Sequence, residues 1–172
     1  MKNKKTLHIV RHAKSSWEYE NISDIDRPLK LKGIKNAYEM ARRMKLRNEL
    51  PDLIIASPAN RAFHTAAIFT RVFELMFKNL IIDENLYTSD EETILNLIRG
   101  TDNSVSSLMI FGHNPDFTNF ANIYVKNAIL NIPTSGIVTL IFDIDSWENI
   151  HRNKLVSEKF DFPKKSLQVE SL

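Results

Sequence analysis

Apolar residues along the chain fall into short β-branched runs separated by longer stretches with a helical period. Residues 6–10, 53–56, 80–82, 108–111 and 137–142 predict strands, and residues 155–162 predict one more strand at a sheet edge. The first helix is expected over residues 31–47, with Ile34, Ala37, Ala41 and Met44 on one stripe. The second should follow Pro58, a residue favoured at a first helical position, and bury Ala62, Ala66, Phe69, Phe73 and Met76. The third is expected to open at Ser89, where Ser89 and Glu92 have the spacing of a capping box. The fourth is expected at Asn114-Pro115, with Asn114 as the cap. Strands that alternate with helices predict an α/β fold, a mostly parallel central sheet covered on both faces in three α/β/α layers. No repeat, low-complexity tract or linker interrupts the pattern, so residues 1–172 read as a single domain.

Composition narrows the chemistry. The 172 residues contain no cysteine, which removes disulfides, zinc–thiolate sites, iron–sulfur clusters and cysteine nucleophiles together. Only four glycines are present, and neither dinucleotide-binding nor P-loop glycine spacing occurs. The net charge of +2 conceals an uneven distribution, with 13 Lys and Arg against 6 Asp and Glu in the first fifty residues. That basic third favours an anionic partner. A phosphorylated substrate or an acidic protein face suits it better than nucleic acid, because no run of five or six basic residues appears. The charged start, residues 1–5, is followed by too short an apolar stretch for a signal peptide, and nothing approaches a membrane span. The expectation is a soluble cytoplasmic monomer with neither a nucleic-acid nor a membrane partner.

Ligands of open α/β sheets bind beyond the carboxyl ends of the strands. Arg11 and His12 follow the first predicted strand, Arg61 follows the second and His113 follows the fourth. Taken singly, each has an ordinary structural reading. A histidine at a strand end usually makes a hydrogen bond, and an arginine early in a helix usually faces solvent. Arg61 also opposes the helix dipole, a misplacement that a nearby anion would compensate. Together the four converge on one sheet edge. Arginine matches phosphoryl oxygens in a planar fork, helix N-termini add N–H groups, and histidine serves as a covalent nucleophile. Metal binding is the competing use of two histidines. The spacing of zinc-binding pairs is missing, and two arginines would repel a cation, so no metal or other cofactor is expected.

The stretch Arg11-His12-Ala13-Lys14-Ser15-Ser16-Trp17, followed by Asp26-Arg27-Pro28-Leu29 and Gly33, resembles the histidine phosphatase superfamily. The likeness is to its phosphoglycerate mutase-like fold and, within that, to the SixA-type phosphohistidine phosphatase branch. Ser57-Pro58-Ala59-Asn60-Arg61 is similar to the family's second arginine motif, and Gly112-His113-Asn114-Pro115 to its second histidine motif. The likeness runs over residues 6–142 in the family's order. It implies that His12 is the nucleophile that becomes phosphorylated, that Arg11 and Arg61 clamp the phosphoryl oxygens, and that His113 stabilises the transferring group. His12 must then attack through a neutral nitrogen while the other is held, for example by a backbone carbonyl. Lys14, Ser15 and Asn114 are candidates for the substrate-binding wall. Asp26 and Arg27 are expected to form a structural pair beneath it.

Two departures bear on the substrate. Many branches carry a glutamate after the third strand that protonates the leaving group, and here that position falls near Thr88. Glu84, two residues before Leu86 and four before Thr88, is the candidate acid, on the same face by strand alternation. Glu18 stands where mutase-like members have an asparagine touching phosphate, and its carboxylate must turn away. A missing acid suits leaving groups that depart easily. The expected function is therefore a metal-independent phosphatase acting on phosphohistidine in a protein. Hydrolysis of a small phosphorylated metabolite is the alternative, and a non-catalytic phosphate-binding module is a third reading.

Overall fold

The computed structural model describes residues 4–164. Its strands are β1 (Lys4–Arg11), β2 (Leu53–Ala56), β3 (Leu80–Ile82), β4 (Ser107–Gly112), β5 (Ile137–Asp143) and β6 (Leu155–Asp161), and its helices are α1 (Leu31–Leu46), α2 (Asn60–Val72), α3 (Glu91–Arg99) and α4 (Asp116–Asn122). They form one six-stranded sheet in the order β3-β2-β4-β1-β5-β6. Alternation along β1 serves both faces of the sheet. Leu7 and Ile9 join Ile94, Ile98, Phe117 and Phe120 beneath α3 and α4, whereas Val10 joins Ala37, Met40, Ala66 and Phe69 beneath α1 and α2. His8 is buried within β1, and its Nδ1 meets the Thr139 hydroxyl at 2.9 Å, a structural use of a histidine.

The three-layer α/β architecture follows the hydrophobic pattern, and β1 through β4 pair in parallel. β5 differs, because it runs antiparallel to β1, and β6 antiparallel to β5. α4 is short, and residues 123–136 after it lead the chain back to the edge from which α4 started. The chain turns at the carboxyl edge, where Ser135 donates its N–H to the Arg11 carbonyl at 3.1 Å, and it enters β5 from that edge.

Three helix starts differ from the expected ones. Asp90, not Ser89, caps α3 by accepting the Thr93 N–H at 2.7 Å, since its carboxylate reaches the free amide of the helix's third residue. α2 begins at Asn60 rather than at Pro58 because Ser57 Oγ accepts the Ala59 N–H at 3.3 Å and holds a turn there. Asn114 does not cap α4, whose preceding residue is Pro115; its side chain is engaged elsewhere.

Gly33 is the fold's tightest approach to the first motif. A Cβ there would stand 2.3 Å from the Lys14 carbonyl oxygen, which is backbone and cannot rotate away. Gly33→Ala is therefore expected to push α1 off residues 13–16 at a cost of about 2 kcal/mol. This should lower the melting temperature by about 4–8 °C, with reduced turnover because the displaced segment follows His12. An unchanged melting curve would show that the loop yields freely.

Candidate active site

β1 and β4 end side by side, with Arg11 in register with Gly112, so the residues just beyond them share one edge. His12 donates its backbone N–H to the Gly112 carbonyl at 3.0 Å, which fixes the start of the loop. Its Nδ1 is 2.8 Å from the Ala13 carbonyl oxygen, an acceptor, so Nδ1 carries the proton. Nε2 is then the basic nitrogen of a neutral ring. Burial, set against that carbonyl bond and reinforced by the charges of Arg61, Arg11 and Arg27, lowers His12 from 6.5 to about 4. The His113 ring faces it with centroids 5.2 Å apart. Arg11 donates Nη1 to the Ile132 carbonyl at 2.7 Å and reaches Asn131 Oδ1 at 3.3 Å, while its Nε is buried and unpartnered among the described residues. The guanidinium is thus anchored through one terminal nitrogen and keeps donors for a ligand.

Arg61 lies at the second position of α2 with its side chain buried. The anion that compensates its place against the helix dipole is Asp24, on a short 3-10 turn, Asp24–Asp26. Arg61 donates Nη1 to the Asp24 carbonyl at 2.6 Å and Nη2 to its Oδ2 at 2.9 Å. Arg27 Nη1 donates to Asp24 Oδ1 at 3.0 Å, and the Tyr87 hydroxyl donates to Oδ2 at 3.0 Å. Partial burial raises the Asp24 carboxyl, but these three donors and the Arg61 charge bring it down to about 2. The expected Asp26–Arg27 pair does not form. Asp26 accepts instead from the Ser23 hydroxyl at 2.6 Å, because three residues of the tight turn set Asp24, not Asp26, beneath the guanidinium.

His113 pairs Nε2 with Ser57 Oγ at 2.8 Å, which ties the ends of β4 and β2 together. Its Nδ1 is buried and has no partner among the described residues. Burial, then the charges of His12, Arg61 and Arg11 against that of Asp24, lower it to about 3. Asn114 stabilises the loop behind Arg11. Its Nδ2 donates to Asn131 Oδ1 at 2.8 Å and to the Ile132 carbonyl at 3.0 Å, and its Oδ1 accepts from the Thr118 hydroxyl at 2.9 Å.

These groups line a cleft with two arms. One arm, of about 440 Å³, holds Arg11, His12, Lys14, Ser15, Trp17 and Arg27. The other, of about 490 Å³, holds Tyr87, Thr88, Asp90 and Asp116, and both share Asp24, Arg61, His113 and Asn114. Lys14 is exposed on the rim, whereas Ser15 is buried and its hydroxyl accepts from Arg27 Nη2 at 2.6 Å. Trp17 lies against the Arg27 guanidinium, 3.2 Å from the ring centroid. No group of three or more His, Asp or Glu side chains arranged to hold a metal occurs among the described residues. An edge with two guanidinium groups, a neutral imidazole with a free nitrogen and a second buried histidine can bind an anion and attack it.

A family model described as the histidine phosphatase superfamily (branch 1) matches residues 7–88, the span that carries Arg11, His12 and Arg61. A solved structure assigned as the phosphohistidine phosphatase SixA from Agrobacterium tumefaciens is 29% identical, with a TM-score of 0.73 over 79% of this chain and 90% of that one. The first half of the chain thus matches the histidine phosphatase superfamily, and the fold is similar to that of its SixA-type members. A protein histidine phosphatase SixA complexed with tungstate shares the fold at a TM-score of 0.73 and 19% identity, over 92% of this chain and 97% of that one. Among curated proteins, an uncharacterised chloroplastic protein of Arabidopsis thaliana is 28% identical over 150 residues, 83% of this chain and 68% of its own length.

One further sequence expectation about the site needs correction, that for Glu84, whereas Glu18 turns away as expected. Glu84 is exposed and lines neither arm of the cleft. Strand β3 ends at Ile82, and Asp83 caps a 3-10 turn by accepting the Asn85 N–H at 2.9 Å, so strand alternation does not reach Glu84. Thr88 occupies the cleft wall instead. Glu18 is turned to solvent, where it pairs with Lys30 at 2.5 Å. Sequence reasoning missed Asp24 and Tyr87. The misplaced charge of Arg61 was the signal that an acidic partner had to be found. No helix among the described residues is long and apolar enough to cross a membrane.

The low value for His12 sets a pH dependence. A histidine at about 4 stays neutral as pH falls through 6.5, where an ordinary imidazole gains its proton. The acid limb of kcat/KM, which reports the free enzyme, is expected near pH 4 once the substrate's own ionisation is corrected for. A limb belonging to the enzyme at 6.5 would mean that His12 is solvated.

Proposed function

We propose that this phosphatase hydrolyses phosphohistidine on a protein through a phosphohistidine intermediate on His12. The observation that carries the reading is the His12–Ala13 bond, which holds the proton on Nδ1 and leaves Nε2 basic beside two guanidinium groups. Nε2 attacks phosphorus as the bond to the leaving group breaks, and the leaving group keeps that electron pair. Water then attacks the phosphoenzyme, releases phosphate and regenerates neutral His12. Arg11 and Arg61 neutralise the equatorial oxygens, which is where catalysis of phosphoryl transfer chiefly lies. His113 donates to the transferring group while Ser57 orients its ring. Thr88 in place of a carboxylic acid favours leaving groups that depart without a strong proton donor, and phosphohistidine is one.

The test is a substrate panel with His12→Ala as the control. A histidine-phosphorylated protein is expected to turn over faster than sugar phosphates, with a burst of product and an acid-labile label on His12. Faster turnover of the sugar phosphates would replace the substrate assignment with a small metabolite. Phosphate binding without turnover of any compound would make the chain a reader of phosphate.

A further inference from the structure

His12 and Arg11 line only the first arm of the cleft, whereas Arg61, His113 and Asn114 line both. A phosphoryl group attacked by His12 and held by Arg61 and His113 therefore sits at the junction. In-line displacement sends the leaving group away from His12, which is into the second arm. That arm has its own character. Besides the shared Asp24 it presents Asp90 and Asp116, while the lysines Lys14 and Lys30 belong to the first arm.

Asp116 is the first residue of α4 and half-buried, and its carboxylate has no hydrogen-bond or ion-pair partner among the described residues. Burial raises its carboxyl above the ordinary value, and the charges of Glu91 and Asp90 raise it further. An unpartnered carboxylate in a partly desolvated wall is costly unless a ligand completes it. His113, only 8% exposed, lines the same arm with its Nδ1 unpartnered. The second arm is thus an extension of the reacting centre whose wall carries one acceptor without a donor, the Asp116 carboxylate.

We propose that the second arm is the leaving-group subsite, and that Asp116, assisted by Asp90, selects a leaving group that presents an N–H on the side away from phosphorus. This rests on the phosphohistidine reading above. In a phosphoimidazole, the ring nitrogen opposite the N–P bond gains a proton to give the reactive cation. When the N–P bond breaks, its electron pair stays on the leaving nitrogen, and the proton already on the distal nitrogen makes the product a neutral imidazole. No further proton has to move. A carboxylate accepting that distal N–H stabilises the reactive form before bond cleavage, which does the work of the missing acid at Thr88. The same carboxylates repel leaving groups that carry negative charge, such as carboxylated metabolites.

Two substrates separate the outcomes: free phosphohistidine, whose leaving group has the N–H, and p-nitrophenyl phosphate, whose leaving group has none. Asp116→Asn keeps the side-chain shape and removes the charge. It is expected to lower kcat/KM for phosphohistidine about tenfold, the scale of one hydrogen bond to a charged group, and to leave that for p-nitrophenyl phosphate unchanged or raise it, because its phenolate leaving group develops negative charge. The alkaline limb of the phosphohistidine reaction should also move to lower pH, because the proton on the distal nitrogen is held less firmly. Asp90→Asn, which retains an acceptor for the α3 cap, should show the same selectivity more weakly. Equal losses on both substrates, or no loss on either, would overturn the subsite. Wild-type protein that hydrolyses p-nitrophenyl phosphate but not phosphohistidine would instead overturn the substrate reading on which it rests.

Discussion

His12→Ala is expected to lower kcat by about 10⁴-fold or more and to abolish acid-labile labelling, while the protein keeps its fold. The magnitude follows from covalent catalysis, in which removing the nucleophile leaves only the residual effect of substrate binding and charge stabilisation. The fold should survive because His12 lies beyond the end of β1, and its backbone N–H still reaches the Gly112 carbonyl. Substrate affinity is expected to change little, since Arg11 keeps its anchor on Ile132 and Arg61 its anchor on Asp24. Single-turnover measurements with a histidine-phosphorylated protein, together with phosphate inhibition of the variant, check both halves. Full activity in His12→Ala would remove the covalent route. Loss of phosphate binding along with turnover would instead make His12 part of the anion cradle.

The parts of the fold that were legible in the sequence are those fixed by local pattern. Leu53–Ala56 and Leu80–Ile82 are short because polar residues cut off their apolar runs at both ends, and their bounds come directly from that pattern. The direction of β5 was not legible, because it depends on where residues 123–136 return the chain and on contacts of Ser135 with Arg11, neither of which is periodic. The site divides in the same way. Arg11, His12, Arg61 and His113 follow strand ends or start helices, so topology alone brings them to one edge. Asp24 reaches that edge from a loop between β1 and α1, and only the folded turn shows that it, rather than Asp26, lies beneath the guanidinium groups. Glu84 failed for the converse reason. Its placement assumed that an extended strand continued, and the cap at Asp83 had already ended it.

Arg61→Ala is expected to lower kcat by about 10²–10³-fold, the scale for removing one preorganised donor from a developing charge. Unlike Arg11, Arg61 is held by a carboxylate, and this determines how the loss will appear. The two bonds to Asp24 use one N–H of each terminal nitrogen, so each keeps a second N–H for the phosphoryl group. The geometry is preorganised before substrate arrives, and most of the effect should fall on kcat rather than KM. Removing the arginine also withdraws one of the three side-chain donors that hold the Asp24 carboxyl at about 2, so that carboxyl should rise. What remains near the cradle is a carboxylate held by Arg27 and Tyr87 without the cation that offset it, which adds repulsion to the lost attraction. Arg61→Lys should recover only part of the rate, because an ammonium cannot grip Asp24 through two nitrogens and face a phosphoryl group in one plane. Asp24→Asn in the Arg61→Ala background removes the repulsion and is expected to regain several-fold in kcat/KM. If the double variant were no better than Arg61→Ala, Asp24 would act only as a support for Arg61, and its charge would carry no weight in the reaction.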